Sequence, residues 1–217
     1  MRPNAAQSKL DFPLFEAASQ PRSMRDPAVR ERRRAMLGLP HMIELASYAE
    51  RLRRPGVEVP DFDPLDGGIE ARVLFLFEKP APMTAVAGNG KNTGSGFISR
   101  DNDDPTAEAV FNFMRQADIQ RELTIIWNVV PWWNGKREVE KLELQDGARR
   151  VFELIHLLRQ PRAVVLVGSK AAEARSYLTI SGLTVFTSDH PSPLVRARWP
   201  KRWSAIPSEW RKVKQVL

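Results

Sequence analysis

The chain has 217 residues, no cysteine and three histidines, and its 33 lysines and arginines against 26 acidic residues leave a formal charge of +7. A hydrophobic share of 42% and a charged share of 27% suit a water-soluble globular protein, and the length suits one domain with a sizeable core. Lack of cysteine excludes disulfides, thiolate nucleophiles and cysteine-ligated zinc or iron–sulfur clusters; no apolar run reaches the ~20 residues of a membrane span, and Met1-Arg2-Pro3-Asn4 opens no apolar signal segment, so residence in the cytoplasm or nucleoid is expected.

Residues 1 to about 20 lack clean periodicity and carry Pro3 and Pro13, which predicts an extended arm. From Asp26-Pro27 the apolar spacing Val29, Met36, Leu37, then Ile43, Leu45, Ala46, Ala49 and Leu52 predicts one or two helices with a break near Gly38-Leu39-Pro40. Arg30-Glu31-Arg32-Arg33-Arg34 reads as a solvated helix face or a phosphate contact. Pro55 to Gly68, rich in proline, glycine and aspartate, reads as a linker or a loop crossing the surface. Residues 1–70 are thus expected to form an arm and arginine-rich helices packed on a core of residues 71–217.

A repeating strand–helix pattern follows. Arg72 to Phe77 is a continuous apolar run of strand length, and a Gly-, Asn- and Ser-rich loop from Ala87 to Asn102 comes next. Asp104-Pro105-Thr106-Ala107-Glu108 is a capped helix start, carrying Val110, Phe111, Phe113, Met114 and Ala117 inward. Leu123 to Trp127 is a second buried strand closed by Asn128; a helix from about Leu144 to Leu158 follows the loop Pro131-Trp132-Trp133-Asn134-Gly135. Ala163 to Val167 is a third strand, and Gly168-Ser169-Lys170 starts another helix without the glycine-rich lead of a nucleotide-phosphate loop. Leu183 to Phe186 is a fourth strand, and Ser204 to Val216 closes the chain as a helix. The expected fold is a three-layer α/β/α arrangement around a four-stranded, mostly parallel sheet.

Parallel strands end on one rim, where ligands gather. Glu78-Lys79-Pro80, Asn128 and His190 are brought there by the first, second and fourth strands. An asparagine side chain offers one acceptor and two donors, which suits the edge of a planar base such as uracil; a neutral histidine donates to a carbonyl gaining negative charge. Phe97, in Gly94-Ser95-Gly96-Phe97-Ile98-Ser99, offers an aromatic face for stacking. Two prolines stiffen His190-Pro191-Ser192-Pro193-Leu194, and after it seven basic residues face the single acid Glu209, with Trp199 and Trp203 interleaved, as in a phosphate-gripping surface. His41 and His156 have no metal-ligand spacing and read as structural, so neither a metal nor a cofactor is expected.

From about Val73 to Leu217 the chain resembles the uracil-DNA glycosylase superfamily. His190-Pro191-Ser192-Pro193-Leu194 is similar to the family's histidine and minor-groove wedge motif, Asn128 to its uracil-reading asparagine, Phe97 to its stacking phenylalanine, and Phe77-Glu78-Lys79-Pro80-Ala81, more loosely, to its first motif. The resemblance implies a monomeric DNA repair enzyme that flips uracil out of DNA and hydrolyses its N-glycosidic bond. His190 would stabilise the leaving anion, and Glu78, or an acid of the Asp101, Asp103, Asp104 group, would position water. Phe97, Asn128, Lys79, Pro80 and Ala81 would surround the base. Ser192, the wedge Leu194, Arg196, Arg198 and Lys170 would meet DNA.

Departures from the family pattern leave a second reading open. Lys79 stands where the family places its water-activating aspartate or asparagine, and Ala81 where the best-studied branch has a thymine-blocking tyrosine. An ordinary lysine is protonated at neutral pH and is no general base. A binding protein that reads uracil or abasic sites without cleaving is the alternative that this substitution supports.

Overall fold

The computed structural model describes residues 19–80, 94–178 and 182–217. Its elements run α1 (Pro27–Ala35), α2 (Ile43–Leu52), β1 (Asp61–Phe62), β2 (Val73–Phe77), β3 (Phe97–Ile98), α3 (Pro105–Gln116), β4 (Thr124–Asn128), α4 (Lys141–Leu157), β5 (Ala163–Val167), α5 (Ser169–Glu173), β6 (Thr184–Ser188), α6 (Pro193–Arg198) and α7 (Pro200–Arg211). Several helices begin as their sequences dictate. Asp26, Asp104 and Ser192 each accept a bond from a free N–H of the first turn, and a proline follows each of them.

Strands β2, β4 and β5 are buried at every position, the pattern of strands covered on both faces. With β6 at one edge they form a four-stranded sheet of order β4-β2-β5-β6, parallel throughout. Adjacent residues of β2 point to opposite sides, and their contacts identify the two outer layers. Phe75 meets Trp210 of α7 edge-on at 5.2 Å, and α7 packs on α3. Leu76 pairs with Trp127, which stacks on Phe62 at 3.6 Å; Phe62 in turn meets Tyr48 of α2. The Tyr48 hydroxyl donates to the Arg150 carbonyl at 2.7 Å and ties α2 to α4. The result is three-layer α/β/α.

Three expectations need correction. Only the start of residues 55–68 lies on the surface: Pro55 and Gly56 are exposed, but Val59, Phe62, Asp63, Leu65 and Asp66 are buried, and β1 forms a second, two-stranded parallel sheet with β3. Their polarity is absorbed by ion pairs rather than water. The arginine run is only partly a solvated face, because Arg33 is buried between Asp63 and Asp101. The closing region holds two helices, α6 and α7, instead of one beginning at Ser204; the corner falls at Trp199-Pro200, where the proline restricts the preceding residue and opens the next helix. The expected arm before residue 19 lies outside the described residues.

Candidate active site at the sheet rim

The carboxyl ends of the strands open into a cavity of about 340 Å³ lined by Phe77 at the end of β2, Glu78, Lys79 and Pro80 beyond it, Asn128 at the end of β4, and His190 beyond β6. Among the described residues the wall also includes Ile98, Ser99, Arg100, Asn102, Asp104, Thr106, Ala107, Val110, Ile126, Trp133 and Arg137. Backbone bonds fix the rim. Val129 N–H donates to the Phe77 carbonyl at 2.8 Å and Val130 N–H to the Glu78 carbonyl at 3.0 Å, so pairing continues past the strands. Asn128, in register with Phe77, is 4% exposed.

His190 reaches this wall although β6 and β2 are separated by β5. Gly168, just after β5, makes the crossing possible: its φ is +89°, and a Cβ there would stand 3.1 Å from His190 Cβ and 3.3 Å from Cδ2. Over this gap the imidazole meets Phe77 edge-on, with ring centres 5.6 Å apart. Burial pushes the imidazole down to about 4, so at neutral pH it is uncharged and retains one N–H donor. The loop is also held from behind. Trp210 donates to the Ser188 hydroxyl at 2.8 Å, and Arg202 Nε to Asp189 at 2.9 Å.

Glu78 is half-buried beside His190's cavity wall, and burial pushes its carboxyl up, with Glu173 adding to the rise and Lys170 and Lys79 opposing it. Lys79 is occupied. Its side chain is 3% exposed, its ammonium donates to Glu143 at 2.8 Å and to Asn134 at 2.9 Å, and Glu143 also accepts from Trp132 Nε1 at 2.8 Å. The cluster fastens the segment carrying Trp133 and Arg137 to the end of β2. Pro80 is buried on the cavity wall; Ala81 lies outside the described residues.

Two expected site residues lie elsewhere. Phe97 is fully buried and absent from the cavity wall: Ile98 lines it, and neighbouring residues of a strand face opposite ways. Among the described residues, Phe77 and Trp133 present the phenyl and indole rings on the cavity. Asp101 is also fully buried, accepting from Arg33 Nη2 at 2.7 Å and Arg121 Nη1 at 2.9 Å, so its charge is spent on structure. Asp104 caps α3, accepting from Thr106 and Ala107 N–H at 2.9 Å each, and Asp103 pairs with Arg22.

Beyond the cavity, Ser192 caps α6 by accepting from Val195 N–H at 3.3 Å, and Leu194 projects from that helix 62% exposed. The guanidinium of Arg196 lies 5.0 Å from the Trp203 ring centre and that of Arg198 5.5 Å from the Trp199 ring centre. Lys170 is exposed and pairs with Glu173 at 2.9 Å. Arg100, Asn102, Trp133 and Arg137 were not singled out from the sequence, since each reaches the cavity only through folding of its loop. The tryptophan pair after β4 was the one local signal.

Comparison with curated protein sequences finds no match. Among solved structures, that of a mimivirus UNG variant in complex with UGI is similar, at 15% identity and a TM-score of 0.40, covering 84% of this chain and 76% of that one. The family model described as the uracil DNA glycosylase superfamily matches residues 64–212, a span holding the whole four-stranded sheet and the rim residues Glu78, Asn128 and His190; the chain belongs to that superfamily.

Proposed function

We propose that the protein excises uracil from DNA by hydrolysing the N-glycosidic bond, leaving an abasic site. The observation that carries this reading is that Asn128, Glu78 and His190 line one cavity, itself of a volume suited to a small planar ligand. A flipped base enters the cavity with its edge toward Asn128, whose amide discriminates the uracil edge by donor and acceptor pattern. As the C1′–N1 bond breaks, its electron pair moves onto the base, and the His190 N–H stabilises the developing oxyanion. Water adds to C1′ and its proton passes to Glu78. That carboxyl, raised by burial, is better matched to this exchange than a fully solvated one. Phe77 and Trp133, rather than the buried Phe97, take the aromatic contact with the base.

A second reading is favoured by Lys79. It replaces the family's acid and is already paired with Glu143, which supports a protein that binds uracil or abasic sites without cleavage. One assay separates the two. Labelled uracil oligonucleotides, as single strands and as U:G and U:A duplexes, are incubated with the protein and then treated with alkali. Strand breakage is expected for excision; a gel shift without breakage would select binding alone. Asn128→Ala is expected to lose discrimination between uracil and cytosine while remaining folded, and retained discrimination would put the base reader elsewhere.

A further inference from the structure

Two tryptophans stand in the basic C-terminal region, and folding gives them different fates. Trp203 is half-buried and packs edge-on against Phe113 at 4.6 Å. Trp199 is 44% exposed and has no aromatic neighbour among the described residues. Its backbone is nevertheless held on both sides: its N–H donates to the Val195 carbonyl at 2.8 Å, its carbonyl accepts from Trp203 N–H at 2.9 Å, and Pro200 follows it. An indole on so fixed a corner loses little freedom when something stacks on it.

The surroundings indicate what stacks. The Arg198 and Arg202 guanidinia lie 5.5 and 5.4 Å from the Trp199 ring centre. Leu194 and Arg198, four residues apart on α6, share a helix face, so exposed Leu194 connects through Arg198 to Trp199. Arginine beside an exposed aromatic ring is the pairing that grips a nucleic-acid backbone while stacking a base, and stacking requires a base whose face is not covered by its neighbours in a duplex.

We propose that Trp199, with Arg198 and Arg202, is a docking platform for an unpaired nucleobase of the DNA strand, giving the protein a preference for single-stranded DNA. The inference rests on the reading of the rim cavity as a DNA base site, because it is continuous with Leu194 beside that cavity's His190 loop. A base lies on the indole and the Arg198 guanidinium takes an adjoining phosphate, while Arg202, held by Asp189, keeps the corner in place. Trp199 thus sets affinity and strand preference and touches no reacting atom.

The test uses fluorescence anisotropy of an end-labelled thymine-only oligonucleotide, free or annealed to its complement. With no uracil present, its outcome is independent of base excision. Trp199→Ala is expected to weaken single-strand binding on the order of 5- to 100-fold, the range of one lost base stack, and duplex binding by less than about 2-fold. Trp199→Phe retains most of the affinity, and because no charge is removed the salt dependence stays that of the wild type. Unchanged single-strand affinity in Trp199→Ala, or an equal loss on both strands and duplex, overturns the platform. If excision fails but Trp199-dependent single-strand binding persists, the reaction is lost and the platform stands; the reverse result removes only the platform.

Discussion

At the residue scale the cavity depends on how each polar group is held. His190 is the clearest case, because its neutral state comes from burial and its location from contact with Phe77. His190→Ala is expected to slow single-turnover base release by roughly 10²–10³-fold, the effect of losing one oxyanion donor. Its titration adds a second check. With a folded pKa of about 4 against an ordinary 6.5, the unfolded chain takes up a proton in this window and the folded chain does not. The His190 contribution to stability is therefore intact above 6.5, declines as the pH falls toward 4, and is flat below. An imidazole resonance of His190 that moves with a midpoint near 6.5 by NMR would contradict the burial of the ring. Phe97 and Asp101 teach the opposite lesson: both carry the right chemistry in the right stretch, and both are consumed by the interior.

At the element scale, the rim works because a glycine follows β5. Gly168 combines a left-handed backbone with a close approach to His190, so alanine there is penalised twice. Gly168→Ala is expected to lose about 1–2 kcal/mol of stability. It is also expected to slow base release about 10- to 100-fold as His190 is pushed off the Phe77 ring. A wild-type rate in a folded Gly168→Ala protein would show that His190 need not sit where it does. The turn from α6 to α7 follows the same logic. Capping by Ser192 and the Trp199-Pro200 corner orient Leu194, Arg198 and Trp199 outward, while Trp210 anchors α7 to the end of β6.

At the scale of the whole molecule, a buried charge cluster joins the N-terminal helices to the sheet and underlies the cavity. Asp63, Asp66 and Asp101 interlock with Arg33, Arg100 and Arg121, and Arg100 also lines the cavity. Burial alone would drive the Asp63 carboxyl up, but the Arg33 and Arg121 guanidinia and the Ser99 hydroxyl hold it well below the usual carboxylate range. Its stabilising contribution is thus present above 3.8 and lost as the pH falls further. Arg33→Met leaves Asp63 and Asp101 undercompensated and is expected to cost about 3–5 kcal/mol in chemical denaturation at pH 7. A loss below about 1 kcal/mol would mean that the arginine-rich helix is not needed to neutralise the cluster.

Much of this was legible in the order of residues. Apolar runs of strand length and proline-led helix starts determine a layered α/β protein, because burial of both sheet faces and the geometry of helix termini act locally. The motif around His190 and the strand-end Asn128 marked the rim for the same reason, since parallel strands deliver their ends to one edge. Tertiary structure alone decided how side chains were divided between site and core. The face that Phe97 turns away, the arginines that claim Asp101, the carboxylate that occupies Lys79 and the exposure of Trp199 beside a half-buried Trp203 all depend on partners dozens of residues distant. Local pattern carries no record of such encounters.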